Sequence, residues 1–253
     1  MCLMAHPDDC EFLAAGTLAL MARKGWQIHI VTMTAGDAGS ATLGSEQISA
    51  IRREEAAEAA KIIDATYHCF EERDLFVTYN ESTLRRAILL TRRIGPSLVI
   101  THGLEDYMVD HEETARIARS VTFGYPVPNV APGSIPKGAA VPHLYYADPI
   151  EGRDVYGNQI APTTIVDITE AMAIKAKMLQ AHASQRRWLH EHHGVDEYIE
   201  SMKRWGSDRG RRIGVEFAEG FRQHKGHGYP RDCLLTEQLG GCVTHKSQPE
   251  GIT

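Results

Sequence analysis

Residues 1–12 read MCLMAHPDDCEF, and this short stretch decides the fold. The apolar residues MCLM are typical of a buried strand, yet a histidine and three acids follow at once: His6, Asp8, Asp9 and Glu11. Carboxylates packed this tightly repel one another unless a positive charge lies among them. The stretch therefore predicts a strand that carries a metal ion at its carboxyl end.

Beyond this strand, helix and strand patterns alternate as far as residue 121. Helix patterns cover residues 12–25, 46–64, 82–95 and 110–121, and strand patterns cover residues 27–33, 65–70 and 97–102. We expect Gly25 to end the first helix and Ser45 to cap the second. Strands that alternate with helices form a parallel sheet covered on both faces. The prediction is an α/β protein, a Rossmann-like three-layer α/β/α fold with a mainly parallel sheet.

The second half of the chain is less regular. Residues 123–142 hold five prolines and three glycines, which indicates a long loop at the surface or at the wall of a site. Strands are predicted at 143–148 and 163–168, and helices at 169–193 and 195–206. No repeat or internal boundary is visible. We therefore expect one domain over residues 1–239 and a flexible tail over residues 240–253.

Composition narrows the class of protein. The 253 residues have a net charge of −6 and no Lys/Arg run, which argues against binding to nucleic acid. No apolar run is long enough for a membrane span, and no secretory signal is visible. Five scattered cysteines are typical of free thiols in a reducing cytoplasm, so we expect a cytoplasmic protein. The first strand is expected to begin at residue 1, and whether native residues precede it stays open.

A second polar segment, THGLEDYMVDHEET at residues 101–114, follows the strand at 97–102. Ligands in α/β sheets bind at the carboxyl ends of strands, where His6, Asp9 and His111 would meet. Two imidazoles and a carboxylate, with a position left for water, form a hydrolytic zinc arrangement. Asp8 would remain free to accept a proton. For HPDD alone, the alternative is that its acids cap a helix and His6 packs in the core.

Residues 5–36, AHPDDCEFLAAGTLALMARKGWQIHIVTMTAG, strongly resemble the PIG-L/LmbE-like deacetylase family, whose signature is AHPDD-x-E. Weaker resemblances continue in IRREEAAEAA (51–60), VDHEET (109–114), KMLQAHASQ (177–185) and GVEFAEGF (214–221). The resemblance implies a metal-dependent enzyme, usually with Zn²⁺ and alternatively with another divalent ion such as Fe²⁺. Such enzymes remove acetyl groups from N-acetylglucosaminyl and related conjugates.

The resemblance also assigns roles to individual residues. It implies that His6, Asp9 and His111 bind the metal and that Asp8 is the general base. Arg52 is expected to face the pocket and help hold substrate, and Asp110 to orient its neighbours in the site.

One position departs from the family pattern. Many members have His-x-Asp-His where this chain has Met108-Val109-Asp110-His111, and that first histidine is thought to stabilise the oxyanion or protonate the leaving amine. Methionine can do neither. Asp8 shuttling the proton both ways is one solution, and impaired chemistry is another. Side chains that could replace the histidine are Tyr107, His102, His224 and His227, of which we favour His227 because glycines flank it.

For several further residues, the sequence is compatible with two interpretations. Asp37, in the glycine-rich loop TAGDAGS, either contacts substrate hydroxyls or belongs to a plain loop. Trp188 and Trp205 are predicted in the core or an interface, with sugar stacking as the alternative. The cluster of His190, His192 and His193 is read as a solvated helix end rather than a metal site.

The leading hypothesis is therefore a metal-dependent amide hydrolase that removes an acetyl or acyl group from an N-acyl amino sugar or similar conjugate. One alternative is a non-catalytic α/β module that binds metal or sugar through a degraded site. Another is an amidase for a larger thiol or natural-product conjugate, with residues 124–142 shaping its pocket. The expected partner is a small molecule, with no nucleic acid and no membrane span, and a homo-oligomer is left open.

Overall fold

The computed structural model describes residues 1–186 and 197–246. Its described strands form one sheet of eight, in the order β3-β2-β1-β4-β5-β7-β6-β8. The strands are β1 (Cys2–Met4), β2 (His29–Thr34), β3 (Thr66–Glu72), β4 (Leu98–Thr101), β5 (His143–Ala147), β6 (Thr164–Asp167), β7 (Ala218–Gln223) and β8 (Val243–His245). The predicted α/β fold with a mainly parallel sheet is confirmed.

The sheet has a parallel half and an antiparallel half. β3, β2, β1, β4 and β5 are all parallel to one another, and β1 lies between β2 and β4. β7 then runs antiparallel to both β5 and β6, and β8 runs antiparallel to β6. The carboxyl ends of β1 and β4 therefore lie side by side at one edge of the sheet, which brings together the two polar segments that follow them.

Helices cover both faces of the sheet. They are α1 (Asp9–Leu13), α2 (Ala15–Arg23), α3 (Ser45–Lys61), α4 (Glu81–Ile94), α5 (Val109–Gly124), α6 (Met172–Gln180), α7 (Glu197–Arg211) and α8 (Leu234–Leu239). Side chains of β1 alternate between two cores: Cys2 and Met4 pack with α2 and α6, whereas Leu3 packs with α4 and α5. Burial on both faces explains the continuous apolar run at the start of the chain.

Several predicted helix boundaries differ from the structure. The helix expected at 12–25 is two helices, because Ala14 leaves the helical region with φ −142°. Gly25 does follow the helix end in the left-handed region (φ +85°), whereas Ser45 is the first helical residue and Gly44 is the cap. Within the helix expected at 169–193, α6 ends at Gln180. Residues 187–193 lie outside the described part.

β7 and β8 were not predicted from the sequence. β7 contains a buried glutamate and a glycine, AEGFRQ, so it lacks the apolar alternation of a strand. β8 pairs with β6, although it lies within the segment expected to be a flexible tail. Residues 247–253 lie outside the described part. No helix among the described residues is long and apolar enough to cross a membrane. All five cysteines lie in the described part and are free thiols.

Candidate active site

The two polar segments meet at the edge of the sheet where β1 and β4 end. His6 lies in the turn after β1, Asp9 begins α1, and His111 is in the first turn of α5. One ligand atom from each of the three lies within 4.8 Å of the others. His6 Nδ1 is 3.3 Å from Asp9 Oδ2, and His111 Nε2 is 3.5 Å from Asp9 Oδ1. The structure therefore brings together the three residues predicted to bind a metal.

Each histidine of this trio has its second ring nitrogen fixed by a carboxylate. His6 Nε2 lies 3.1 Å from Asp110 Oδ2, and His111 Nδ1 lies 2.9 Å from Asp106 Oδ1. Such contacts set the tautomer and orientation of an imidazole that binds metal. The expected orienting role of Asp110 agrees with this contact, whereas Asp106 was not singled out from the sequence.

The electrostatics of the trio favour a bound cation. Burial acts to lower the pKa of His6, but hydrogen bonds to Asp110 and Asp9 outweigh it and raise that pKa to about 10. Burial acts to raise the pKa of Asp9, yet the imidazoles of His111 and His102 hold it well below its usual range. A site that stabilises positive charge and keeps its carboxylate ionised suits a divalent metal, and the donor set is one that Zn²⁺ accepts.

His102 lies behind this trio rather than in it. Its ring stacks on His111 with centroids 3.9 Å apart and an interplanar angle of 11°. Its Nε2 accepts the backbone N–H of Ala5 at 3.0 Å, and the side chain is fully buried. His102, Asp106 and His111 form a second group with ligand atoms within 4.8 Å of one another. Because His102 does not line the cavity described below, only the first group is open to a substrate.

Asp8 adopts a strained backbone at the mouth of this cluster. Its φ of +94° is in the left-handed region, which residues other than glycine seldom adopt. Its Oδ2 accepts a hydrogen bond from the Tyr198 hydroxyl at 2.5 Å and lies 3.5 Å from Arg52 Nη2. Burial raises the pKa of Asp8, and Arg52 opposes that rise. The carboxyl group is thus held beside the trio without joining it.

Arg52 holds the HPDD turn in place through hydrogen bonds to backbone carbonyls. Its Nη2 donates to the Pro7 carbonyl at 2.8 Å, and its Nη1 donates to the Gly36 carbonyl at 3.4 Å. Gly36 has φ +75°, and a Cβ there would lie 2.2 Å from Nη1. Glycine is therefore needed where the loop after β2 crosses the guanidinium.

A cavity of about 670 Å³ opens above the cluster. Its described polar and charged lining consists of His6, Asp8, Asp9, Arg52, Asp74, His111, Gln185 and Ser201. Its remaining lining consists of Phe12, Ala38, Gly39, Leu75, Tyr107, Met108, Ile150, Tyr198 and Trp205. Volumes of about 300–1,000 Å³ are typical of pockets for drug-sized ligands. The cavity thus joins the trio of His6, Asp9 and His111 to a space larger than the trio alone needs.

The other predicted site residues are divided between the cavity and the surface. Tyr107 lines the cavity with its ring edge toward His111, 5.3 Å between centroids. Asp37 does not line the cavity and instead accepts the backbone N–H of Asp74, at 2.7 Å. The structure therefore places Asp74, rather than Asp37, in the lining of the cavity. Trp205, predicted in the core or an interface, lines the cavity. Trp188 and the histidines at 190, 192 and 193 lie outside the described part.

His227 is exposed and is not brought to the site within its own chain. β7 runs antiparallel to β5, with Gln223 opposite Tyr145, so the residues after β7 emerge at the amino end of β5. The trio of His6, Asp9 and His111 lies at the opposite end, the carboxyl end of the parallel strands. His224 is likewise remote, with Nδ1 3.0 Å from the Tyr146 hydroxyl. The positions of His224 and His227 could not be predicted from the sequence, because β7 was not recognised as a strand.

Fold and site together define an α/β protein with a buried His/Asp cluster able to hold a divalent metal at the carboxyl edge of its sheet. Residues 1–122 match the family model described as PIG-L, GlcNAc-PI de-N-acetylase, and form a PIG-L family domain. The resemblance seen in the sequence is therefore confirmed.

Individual relatives are enzymes of more than one kind. The 4-oxalmesaconate hydratase of Pseudomonas putida KT2440 is 29% identical over 189 residues, which cover 72% of this chain and 71% of that enzyme. The diacetylchitobiose deacetylase of Thermococcus kodakarensis is 22% identical over 195 residues, which cover 73% of this chain and 69% of that enzyme. The solved structure of the 4-carboxy-2-hydroxymuconate hydratase from P. putida KT2440 has a TM-score of 0.75 at 24% identity and covers 92% of this chain and 96% of that one. At this identity, the structural likeness shows the fold alone.

Proposed function

We propose that the protein is a metal-dependent hydrolase that removes an acetyl or other acyl group from an N-acyl amino sugar or related conjugate. The observation that carries the proposal is the trio of His6, Asp9 and His111, open to a cavity in which Asp8 stands beside it. The PIG-L domain and the deacetylase among the relatives support the same chemistry. The free thiols support a location in a reducing cytoplasm.

A divalent ion held by the trio, Zn²⁺ or alternatively Fe²⁺, would polarise the acyl oxygen and lower the pKa of a water molecule to about 7. Asp8 accepts the proton of the attacking water, because its carboxyl group reaches the cavity and is not a ligand. Arg52 keeps Asp8 in place through the Pro7 carbonyl. Tyr107 and Gln185 line the space that remains for substrate.

The proton for the leaving amine must come from a group other than Met108. His102 is enclosed behind His111, and His224 and His227 lie at the other end of the strands. Tyr107 lines the cavity, but burial raises the pKa of its phenol and makes it a weaker proton donor. Asp8 is the group already in position after the first step, so we assign it both transfers. Its hydrogen bond from the Tyr198 hydroxyl holds the carboxyl group in place between the two transfers.

A screen of N-acetylated sugars and conjugates, with zinc-loaded protein and acetate as the product measured, tests the proposal. Asp8→Asn should keep its metal and lose about 10²–10⁴-fold in rate, the usual contribution of a general base. Asp208→Asn, a change in an exposed aspartate of α7, is the matched control and should be as active as the parent. Acetate release from none of the conjugates, or full activity in Asp8→Asn, would contradict the proposal.

Hydration is a second candidate, because a hydratase is 29% identical to the chain. Its substrate name and that of the structural neighbour denote polycarboxylates. Among the described residues that line the cavity, Arg52 is the only permanent cation, against the three aspartates Asp8, Asp9 and Asp74. Apart from the divalent ion itself, this lining offers a polycarboxylate a single guanidinium, which is why we place deacylation first. Loss of the ultraviolet absorbance of 4-carboxy-2-hydroxymuconate on addition of the protein would reverse this order.

A further inference from the structure

Much of the remaining cavity lining consists of large apolar and aromatic side chains. Phe12 contacts Tyr198 edge-on, with centroids 5.0 Å apart, and lies 5.6 Å from the Trp205 ring. Met108 and Ile150 complete this lining. We refer to Phe12, Met108, Ile150, Tyr198 and Trp205 as the apolar wall. An aromatic surface of this extent, in the same cavity as the polar His/Asp trio, favours a ligand that has both an apolar and a polar part.

One face of α7 supplies much of the apolar wall. Tyr198, Ser201 and Trp205 occur at spacings of three and four residues, which puts them on the same side of the helix. All three line the cavity. A helix that aims its tyrosine and tryptophan at a cavity continuous with the trio presents a stacking surface for a flat or apolar group.

Leu75 faces the same cavity from a strained position. Its φ is +68°, in the left-handed region, and 68% of the residue is exposed to solvent. A leucine in this conformation is an outlier that persists only where its surroundings enforce it. Here Asp110 enforces it, because its Oδ2 accepts the Leu75 N–H at 2.6 Å and its Oδ1 accepts the Val77 N–H at 3.4 Å. Exposure of the Leu75 side chain to water is unfavourable, whereas contact with an apolar ligand would remove it from water.

We propose that the apolar wall and Leu75 bind an aryl or alkyl group joined to the N-acyl amino sugar, so that the protein acts on conjugates in preference to free N-acetyl sugars. This inference rests on the proposed function and names its substrate class. The cavity volume of about 670 Å³ accommodates a sugar with such a group attached. The scarcity of cations among the described lining residues makes a neutral apolar group a better occupant of the apolar wall than an anionic one.

Binding measured by titration calorimetry tests this without requiring turnover. The probes are N-acetylglucosamine and its p-nitrophenyl β-glycoside, added to the protein as purified. Burial of a phenyl ring predicts about 10- to 100-fold tighter binding of the glycoside. Trp205→Ala should remove most of that preference, and Tyr156→Ala, which removes an aromatic ring that is 87% exposed and outside the cavity lining, should retain it.

Leu75→Asn separates recognition from folding. Asparagine tolerates the left-handed region, so the melting temperature should not fall, while the preference for the glycoside should drop several-fold. Equal affinities for the two probes, or an unchanged preference in both Leu75→Asn and Trp205→Ala, would overturn the inference. Acetate release from free N-acetylglucosamine would still support the proposed function in that case. Tight binding of the glycoside without acetate release would leave the apolar site standing and refute the hydrolase.

Discussion

Replacing Lys175 with methionine tests a buried ion pair beneath the site. Lys175 Nζ donates to Glu219 Oε1 at 2.5 Å and to the Phe12 carbonyl at 2.7 Å. Glu219 also accepts the backbone N–H groups of Gly16 and Thr17, both at 2.8 Å. The Lys175 and Glu219 side chains are only 2% and 3% exposed. One pair therefore joins α6 to β7, to the end of α1 and to the first turn of α2.

The cost of breaking this pair can be estimated from its burial. Removing one partner of a buried ion pair costs about 3–5 kcal/mol, because the other charge stays buried without compensation. Methionine keeps most of the apolar stem, so the loss is mainly electrostatic. For a protein of this size, each kcal/mol lowers the melting temperature by about 2–4 °C. We therefore expect Lys175→Met to melt at least about 6 °C below the parent.

The assay is thermal and urea denaturation followed by circular dichroism. Lys177→Met is the matched control, since Lys177 lies exposed on the same helix and should change stability by less than about 0.5 kcal/mol. The double variant Lys175→Met/Glu219→Gln removes both charges and should be more stable than the sum of the two single losses predicts. Equal stabilities for the Lys175 and Lys177 variants would refute the reasoning.

Three further predictions concern the site and its support. His111→Ala should lower the zinc content measured by atomic emission and leave the circular dichroism spectrum near that of the parent; full zinc occupancy would disprove the ligand assignment. Tyr198→Phe should reduce kcat more than it raises KM, because the lost hydroxyl donates to Asp8; an effect confined to KM would indicate a substrate contact instead. Burial acts to lower the pKa of His182, but Glu11 at 3.5 Å raises it overall. The stabilising effect of this ion pair is therefore full below about pH 6.5 and is lost as pH rises through the higher pKa of His182 in the folded state. His182→Gln should therefore flatten that part of the curve of melting temperature against pH, and an unchanged curve would exclude the pair.

Much of the parallel half of the fold could be predicted because its signals are local. β1, β2 and β4 are apolar runs bounded by turns, and the helices between them have clear periodicity. β7 and β8, in the antiparallel half, could not be predicted from such signals. β7 carries Glu219 inside the protein, and the glutamate is tolerated only because distant Lys175 and the amino end of α2 neutralise it. Partners that lie 44 and more than 200 residues away leave no local pattern.

The site shows the same division. His6, Asp9 and His111 could be named from the sequence because strand ends in a parallel sheet share an edge. Asp74 and Tyr198 could not, since one reaches the cavity from the loop after β3 and the other from a helix 190 residues from Asp8. His227 is not brought to the site of its own chain, because the reversed direction of β7 carries that segment to the opposite end of the strands.

Asp110 links the proposed metal site to the rim of the cavity. The same carboxylate contacts His6 Nε2 at 3.1 Å and accepts the Leu75 N–H at 2.6 Å. The ring of His6 and the strained backbone of Leu75 therefore share one anchor, at the start of α5. Asp8 and Leu75, both in the left-handed region, line the same cavity from two different loops. Strain in two loops is sustained only when other contacts fix them, and here Arg52 and Asp110 supply those contacts from helices that the sheet already holds.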